Sequence, residues 1–315
     1  MNKKFGDASL VGALDRRMSL PVIVAPMFLV SSVGLVVEAC RAGVIGSMPT
    51  LNARTPEILD EWLRQIGQSE GIRAPFAMNI IAHSSNDRFD DDLDVVAKHR
   101  VPLVISSVGN PARVVDKVRG YGGHVFADVA SIKHALRAAK AGVDGLVLLC
   151  AGAGGHTGWL NPFAFVDEVR CFFDGPIALA GGLSNGRQVG ALKALGVDYA
   201  YMGTRFLASE ESNANQTYRQ MVVDSGADDI VLTSEVSGMP ANMLRLSLER
   251  SELHGKQPPS GKFEMSSNND SQRAWRDVWG AGHGVGGVRE AEPIREIVSR
   301  LRTEFADGLS ASRGH

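Results

Sequence analysis

The sequence predicts an α/β fold: a (β/α)8 TIM barrel with a small helical subdomain near the C-terminus. Three observations carry this reading. Eight short apolar or β-branched runs recur before about residue 225, and segments of helical period with recognisable start signals separate them. No GxGxxG follows the first run, which ends in "APMFLVSS", whereas an open doubly wound dinucleotide sheet would carry one there.

In chain order the runs are "PVIVAPM" (21–27), "AGVIGSM" (42–48), "FAMNII" (76–81), "PLVISSV" (102–108), "HVFADVA" (124–130), "GLVLLC" (145–150), "PIALAGG" (176–182) and "YAYMGTRFL" (199–207). Apolar runs without polar alternation suit strands covered on both faces, as in parallel sheets. The helices between them have a shared grammar. In "TPEILDEWLRQIG", Thr55 is a natural N-cap and Pro56 fits the first helical position. Ile58, Leu59, Trp62, Leu63 and Ile66 then form one apolar stripe that ends at Gly67. The pattern recurs in "NPARVVDKVRG", "SIKHALRAAKAG", "NPFAFVDEV" and "SNGRQVGALKALG", with starts at Asn110, Ser131, Asn161 and Ser184.

Past residue 208 the rhythm changes. "SEESNANQTYRQMVVDSG" reads as a helix, "ADDIVLTSEVSGMPANMLRLSLERSEL" as a loop and another helix, and "GKQPPSGKFEMSSNNDSQ" as a polar linker. "REAEPIREIVSRLRTEF" gives a last helix, with Ile294, Ile297, Val298 and Leu301 on the face that would close the outer ring. The expected division is therefore a barrel over 1–225, a small subdomain covering its mouth over 226–288, and a returning C-terminal helix over 289–315.

Composition excludes several classes of partner. The 315 residues are 44% hydrophobic and 22% charged, with a formal charge of −2 and no basic cluster, so neither nucleic acid nor a membrane surface is expected. No apolar run approaches the length of a membrane span. Cys40, Cys150 and Cys171 lack CxxC spacing, and a cytoplasmic setting with free thiols is expected. The histidines show no HxH, HExxH or Cys/His spacing, so no metal site is expected.

In a barrel the chemistry lies at the C-terminal ends of the strands. Gly181 and Gly182 follow the seventh run, and Gly203 and Thr204 lie in the eighth. Bare backbone N–H groups there, with the Thr204 hydroxyl, would suit a phosphate; tight turns are the plainer alternative. Around the mouth stand Ala25, Pro26 and Met27, then Asn79, Ser106, Ser107 and Asp128. Asn79 offers donors and acceptors for a ring with amide edges, or else caps a turn; Asp128 serves a ligand or a structural hydrogen bond. His156 stands in the glycine loop with Gly154 and Gly155, either aimed at a substrate or capping a turn. "GAGHGVGG" (280–287) either folds back toward the site or forms a flexible loop.

The motifs "APM", "FAMNI", "CAGAGGHTG", "ALAGGLSNGRQV" and "YMGTRFLASEES", over residues 20–212, resemble the nitronate monooxygenase family, also called 2-nitropropane dioxygenases. The resemblance implies an FMN-dependent barrel. It places Gly154, Gly155 and His156 in the family's GGHxG loop, Gly181, Gly182, Gly203 and Thr204 at the FMN phosphate, and Asn79 against the flavin. Many relatives carry glutamate or another residue where this chain has "CAGA", and glutamine where it has Met202, which leaves substrate preference open. The activity implied is oxidation of a nitronate, or of a nitroalkane, by dioxygen to a carbonyl compound and nitrite. His156 would act as the base or hold anionic oxygens as imidazolium. An NAD(P)H-dependent reductase of quinones or enoyl thioesters is the alternative on the same barrel; a non-redox phosphate-binding barrel and a flavin binder without turnover are further ones. A homodimer is the assembly allowed for.

Overall fold

Period-two alternation along a closed ring of parallel strands organises the molecule. The computed structural model describes residues 4–9, 12, 14, 17–251, 255 and 276–313. The barrel strands are β1 (Val22–Val24), β2 (Gly46–Pro49), β3 (Phe76–Ile81), β4 (Leu103–Ser107), β5 (His124–Val129), β6 (Gly145–Leu149), β8 (Ile177–Ala180) and β9 (Tyr199–Met202). All eight expected runs supply one. They hydrogen-bond in the order β1-β9-β8-β6-β5-β4-β3-β2, every pair parallel, and a parallel bridge from Ile23 to Ile45 joins the two ends.

Alternate residues of each strand face inward. Ile23, Ala77, Leu103, Ile105, Phe126, Val147, Ala178 and Tyr199 fill the interior as one apolar cluster. A larger cluster, with Val24, Met78, Val104 and Leu148, lies between the barrel and its helices. Counting on by two from the interior set gives Asn79, Ser107, Asp128, Leu149 and Tyr201. The polar residues at the strand tops are thus inward-facing positions above a plug of apolar side chains.

The outer layer holds α1 (Val33–Ala42), α2 (Pro56–Gln68), α3 (Phe89–Lys98), α4 (Ala112–Gly120), α5 (Ile132–Lys140), α6 (Pro162–Arg170) and α7 (Gly186–Ala194). Thr55, Ser131 and Asn161 accept backbone N–H groups at the first turns of α2, α5 and α6, as their residue types dictate. Asn110 accepts from Ala112 N–H at the head of α4. The start of α7 falls one residue later than expected: Asn185, rather than Ser184, caps it, in a reciprocal capping box with Gln188. In the α2 stripe Leu59, Leu63 and Ile66 are buried, but Ile58 remains 37% exposed at its edge.

The chain after β9 continues into α8 (Thr204–Leu207) and α9 (Gln216–Asp224). The expected helix over 209–226 forms only from Gln216, because Asn215 caps it. The stretch read as a loop pairs instead as two antiparallel strands, β10 (Ile230–Thr233) and β11 (Ala241–Leu244), before α10 (Arg245–Glu249). A third member of this small sheet, β7 (Gly155–His156), comes from the loop after β6. The polar linker expected at 255–272 lies outside the described residues except for Gly255. The final helix, α11 (Ile294–Arg313), packs on α7 and α1, with Ile294, Ile297, Val298 and Leu301 buried. Gly186 makes this approach possible, since a Cβ there would stand 2.0 Å from the Leu301 carbonyl oxygen.

Candidate functional site

A cavity of about 780 Å³ opens at the C-terminal ends of the strands. That volume lies within the range of small-molecule and cofactor sites. Its walls follow from the alternation above: Asn79, Ser107, Asp128, Leu149 and Tyr201 are the last inward-facing residues of their strands. Ala25, Pro26 and Met27 line it after β1, and Gly154, Gly155 and His156 line it after β6. Gly181 and Gly182 after β8, with Gly203 and Thr204 after β9, complete that side. All but one of the site residues expected from sequence therefore border this one cavity. Ser106 does not; it is buried facing away from the mouth, and Ser107 takes the inward place.

The two glycine pairs differ in what they offer. Gly181 and Gly182 have φ of +137° and +71°, backbone that other residues rarely adopt, and nothing lies within 4 Å of where a Gly182 Cβ would stand. Space is open above that backbone. The Thr204 hydroxyl oxygen accepts the Gly282 N–H at 2.9 Å, which leaves its proton for another partner. Gly282 belongs to "GAGHGVGG", and that segment does fold back onto the site. Gly280, Ala281, Gly282 and Gly284 border the cavity, and His283 N–H donates to the Gly152 carbonyl at 2.9 Å. Gly152, at φ +88°, lies so close that a Cβ would meet the His283 ring at 2.8 Å.

His156 is held by the small antiparallel sheet. It pairs with Ala241 of β11, and its Nε2 lies 2.8 Å from Ser237 Oγ. The same loop is tied down by Asn242 Nδ2, which donates to Ala153 O at 2.7 Å, and by Thr157 N–H, which donates to Pro240 O at 3.2 Å. Burial drives the imidazole pKa down to about 4. The ring is therefore neutral at neutral pH, and of the two roles considered the neutral one suits the resting site.

At the floor a hydrogen-bonded chain crosses three strands. Asn79 Nδ2 donates to Ile105 O at 3.0 Å and to Ser107 Oγ at 2.6 Å, and Ser107 Oγ donates to Asp128 Oδ2 at 2.5 Å. Asp128 Oδ1 and Tyr201 Oη are shielded from solvent without a hydrogen-bond partner. Burial raises the Asp128 carboxyl to about 7, against the Ser107 hydrogen bond that opposes it. Cys150 is also buried, and its thiol is pushed up to about 12 by desolvation, which disfavours the thiolate a nucleophile would need.

The rim carries residues that sequence reasoning did not select. Leu29 and Val108 border the cavity at φ of +61° and +45°, a left-handed backbone that costs a branched residue strain. Asn52 holds the first of these loops, accepting Leu29 N–H at 2.9 Å and donating to Met27 O at 3.2 Å. Tyr218 and Trp279 stack at 5.0 Å between centroids, and Tyr218 Oη donates to Gly280 O at 2.5 Å. Glu235, Ser237 and Arg276 reach the mouth from the same C-terminal region. Tyr201 alone carried a usable signal, since it stands two positions beyond Tyr199 on the inward face. Among the described residues no helix is long and apolar enough to cross a membrane.

Comparison with known proteins adds a family to the fold. The family model for nitronate monooxygenase matches residues 51–301. A protein of Staphylococcus saprophyticus named as a probable nitronate monooxygenase is 28% identical over 201 residues, covering 59% of this chain and 54% of the relative. The match thus spans about half of that relative's length. A protein of Mycobacterium tuberculosis named as (3aS,4S,5R,7aS)-5-hydroxy-7a-methyl-1-oxo-octahydro-1H-indene-4-carboxyl-CoA dehydrogenase is 26% identical over 270 residues, covering 82% of this chain and 73% of the other. Among solved structures, FabK from Thermotoga maritima superposes with a TM-score of 0.80 at 26% identity, over 97% of this chain and 98% of that one.

Proposed function

Because the chain belongs to the nitronate monooxygenase family, and is on that ground an oxidoreductase acting on a small molecule, we propose that it binds FMN and oxidises alkyl nitronates with dioxygen to a carbonyl compound and nitrite. The observation that carries the reading is one cavity bordered both by the glycine pairs after β8 and β9 and by a sheet-held histidine. In this reading Gly181, Gly182, Gly203 and Thr204 take the phosphate, and Ala25, Pro26, Met27, Asn79, Asp128, Gly154 and Gly155 border the ring. The cavity volume, the open space above Gly182 and the orphaned polar atoms of Asp128 and Tyr201 fit such a ligand. Bound FMN supplies the electron-transfer chemistry, while the protein binds, orients and excludes water.

His156 has a definable part. As neutral imidazole fixed by Ser237, it accepts the α-proton of a neutral nitroalkane or orients a nitronate already formed. The proposed division assigns residues 1–225 to the barrel, 226–288 to a cover that positions His156, and 289–315 to the closing helix. The setting is cytoplasmic, and a homodimer is compatible with it. A second reading, an NAD(P)H-dependent reductase of quinones or enoyl thioesters, draws on the likeness to a CoA-linked dehydrogenase and on a cavity wall that is largely apolar.

An anaerobic spectrum of the purified protein separates these readings. Flavin absorbance that bleaches on mixing with a preformed nitronate supports the first. Rapid bleaching by NADH or NADPH, with no response to a nitronate, supports the second and overturns the first. His156→Asn is expected to cut turnover of neutral nitroalkanes by about 100-fold, the low end of general-base effects, while sparing preformed nitronates within a few-fold.

A further inference from the structure

The floor of the cavity contains a carboxyl group whose surroundings do not suit a charge. Asp128 ends β5 on the inward face, above Ile105, Phe126, Val147 and Tyr199 of the interior cluster. Its Oδ2 has a single donor, Ser107 Oγ, and the proton of that hydroxyl is committed, because the Asn79 amide supplies the hydrogen bond that Ser107 accepts. Oδ1 has neither partner nor solvent, and the same is true of Tyr201 Oη across the barrel on β9. The other titratable groups bordering the cavity are His156, Glu235, Arg276 and Tyr218. None of them forms an ion pair with Asp128 among the salt bridges of the described residues. A buried carboxylate with one hydroxyl donor and no cation is unstable relative to the carboxylic acid. The acid form turns Oδ1 into a donor, on a residue that borders the cavity together with Tyr201, whose hydroxyl is a second donor.

We propose that Asp128 is a resident carboxylic acid which, together with Tyr201, hydrogen-bonds the polar edge of the bound flavin ring and stabilises the ring in its reduced state. This rests on the flavin reading above. Reduction by two electrons with uptake of one proton leaves one negative charge on the ring, and two preorganised donors at its edge lower the energy of that charge. Asp128 does not pass its proton to the ring, and the proton that the ring takes up comes from solvent. The carboxyl sits near the point of half-ionisation, since burial raises it to about 7, so the stabilisation is present in mild acid and fades as the solution becomes alkaline.

The test uses the protein reconstituted with FMN. The midpoint potential of the bound flavin is measured against pH in the native protein, Asp128→Asn, Asp128→Ala and Tyr201→Phe. The native protein is expected to show an added downward bend near pH 7. Asp128→Asn, which is neutral and keeps a donor, is expected to lose the bend. Asp128→Ala is expected to lower the preference for reduced over oxidised FMN by about 10-fold or more, as the loss of a hydrogen bond to a charged group implies. Superimposable profiles for the native protein and Asp128→Asn overturn the proposal. Infrared spectra of the flavin-free protein supply an independent measurement. A protonated carboxyl band present at pH 6, absent at pH 9 and missing from Asp128→Asn supports the resident acid, and its absence at pH 6 overturns it. A protein that takes up no flavin overturns the parent reading as well, whereas one that binds flavin without the bend overturns this inference alone.

Discussion

Glu292→Ala tests the joint that ties the cavity to the C-terminal helix. Arg205 of α8 directly follows Thr204 at the cavity wall, and its side chain is only 3% exposed. Its Nη2 lies 2.5 Å from Glu292 Oε1, and Glu292 Oε2 also accepts from Arg300 of α11 at 2.8 Å. With charge centres about 4 Å apart and an effective dielectric constant of about 20, the gross attraction is about 4 kcal/mol. Removing the carboxylate does more than forfeit that attraction. It leaves a buried guanidinium uncompensated, and losses of about 3–5 kcal/mol are typical of such a change. At roughly 2 °C per kcal/mol for a chain of this size, Tm should fall by about 6–10 °C. Urea unfolding followed by far-ultraviolet circular dichroism gives the free energy. The double variant Arg205→Met with Glu292→Met should recover most of the loss, because two apolar side chains strand no charge. A loss below about 1 kcal/mol in Glu292→Ala refutes the reasoning. So does a double variant whose loss equals the sum of its parts.

Two further outcomes follow from the same site. His156 has a folded pKa of about 4 against an ordinary value of 6.5, so the unfolded chain binds the extra proton between those values. Its contribution is fully present above pH 6.5, falls as the pH drops, and levels off near pH 4, at most about 3 kcal/mol in all. Asp128 acts with the opposite sign: its raised carboxyl favours the fold below pH 3.8, and that contribution is lost as the pH rises through about 7. Urea midpoints against pH should therefore flatten at the acid side in His156→Gln and rise at the alkaline side in Asp128→Asn; unchanged slopes in both would refute the assignment. Gly152→Ala places a methyl 2.8 Å from the His283 ring at a φ of +88° and should cost about 1–3 kcal/mol in urea unfolding, with loosened ligand binding.

The barrel was legible because its signals are local. Each of the eight apolar runs supplies a covered strand, the second strand running one residue past its run, and Thr55, Ser131 and Asn161 cap helices through the side-chain oxygens that make them recognisable. Strand-end residues such as Asn79 and Asp128 follow from alternation once the strands are known. The cover was less legible. β10 and β11 lie in a stretch rich in Ser, Gly and Pro, and β11 finds its second partner in Gly155 and His156, far away along the chain. No window of sequence contains both strands of that pairing. The roles of Ser237, Asn242 and Trp279 depend on it, so these residues could not be selected beforehand. Ser184 and Asn185 illustrate a smaller limit: both residue types cap helices, and only the position of Gln188 decides between them.

The short strand that carries His156 also sets an order of events during synthesis and folding. The barrel strands and their connecting helices are complete at Met202, yet the histidine acquires its sheet partner only from Ala241 and its side-chain partner only from Ser237. Contacts of such long sequence separation must overcome the loop-closure entropy of everything between them, and they form late. A nascent chain emerging as far as β9 has the whole ring and its glycine loops, but a histidine with no fixed direction. The ring of strands and a fixed direction for His156 therefore arise at different times. The direction of His156 is set by residues made after the ring of strands but before the 280–284 segment that completes the cavity wall.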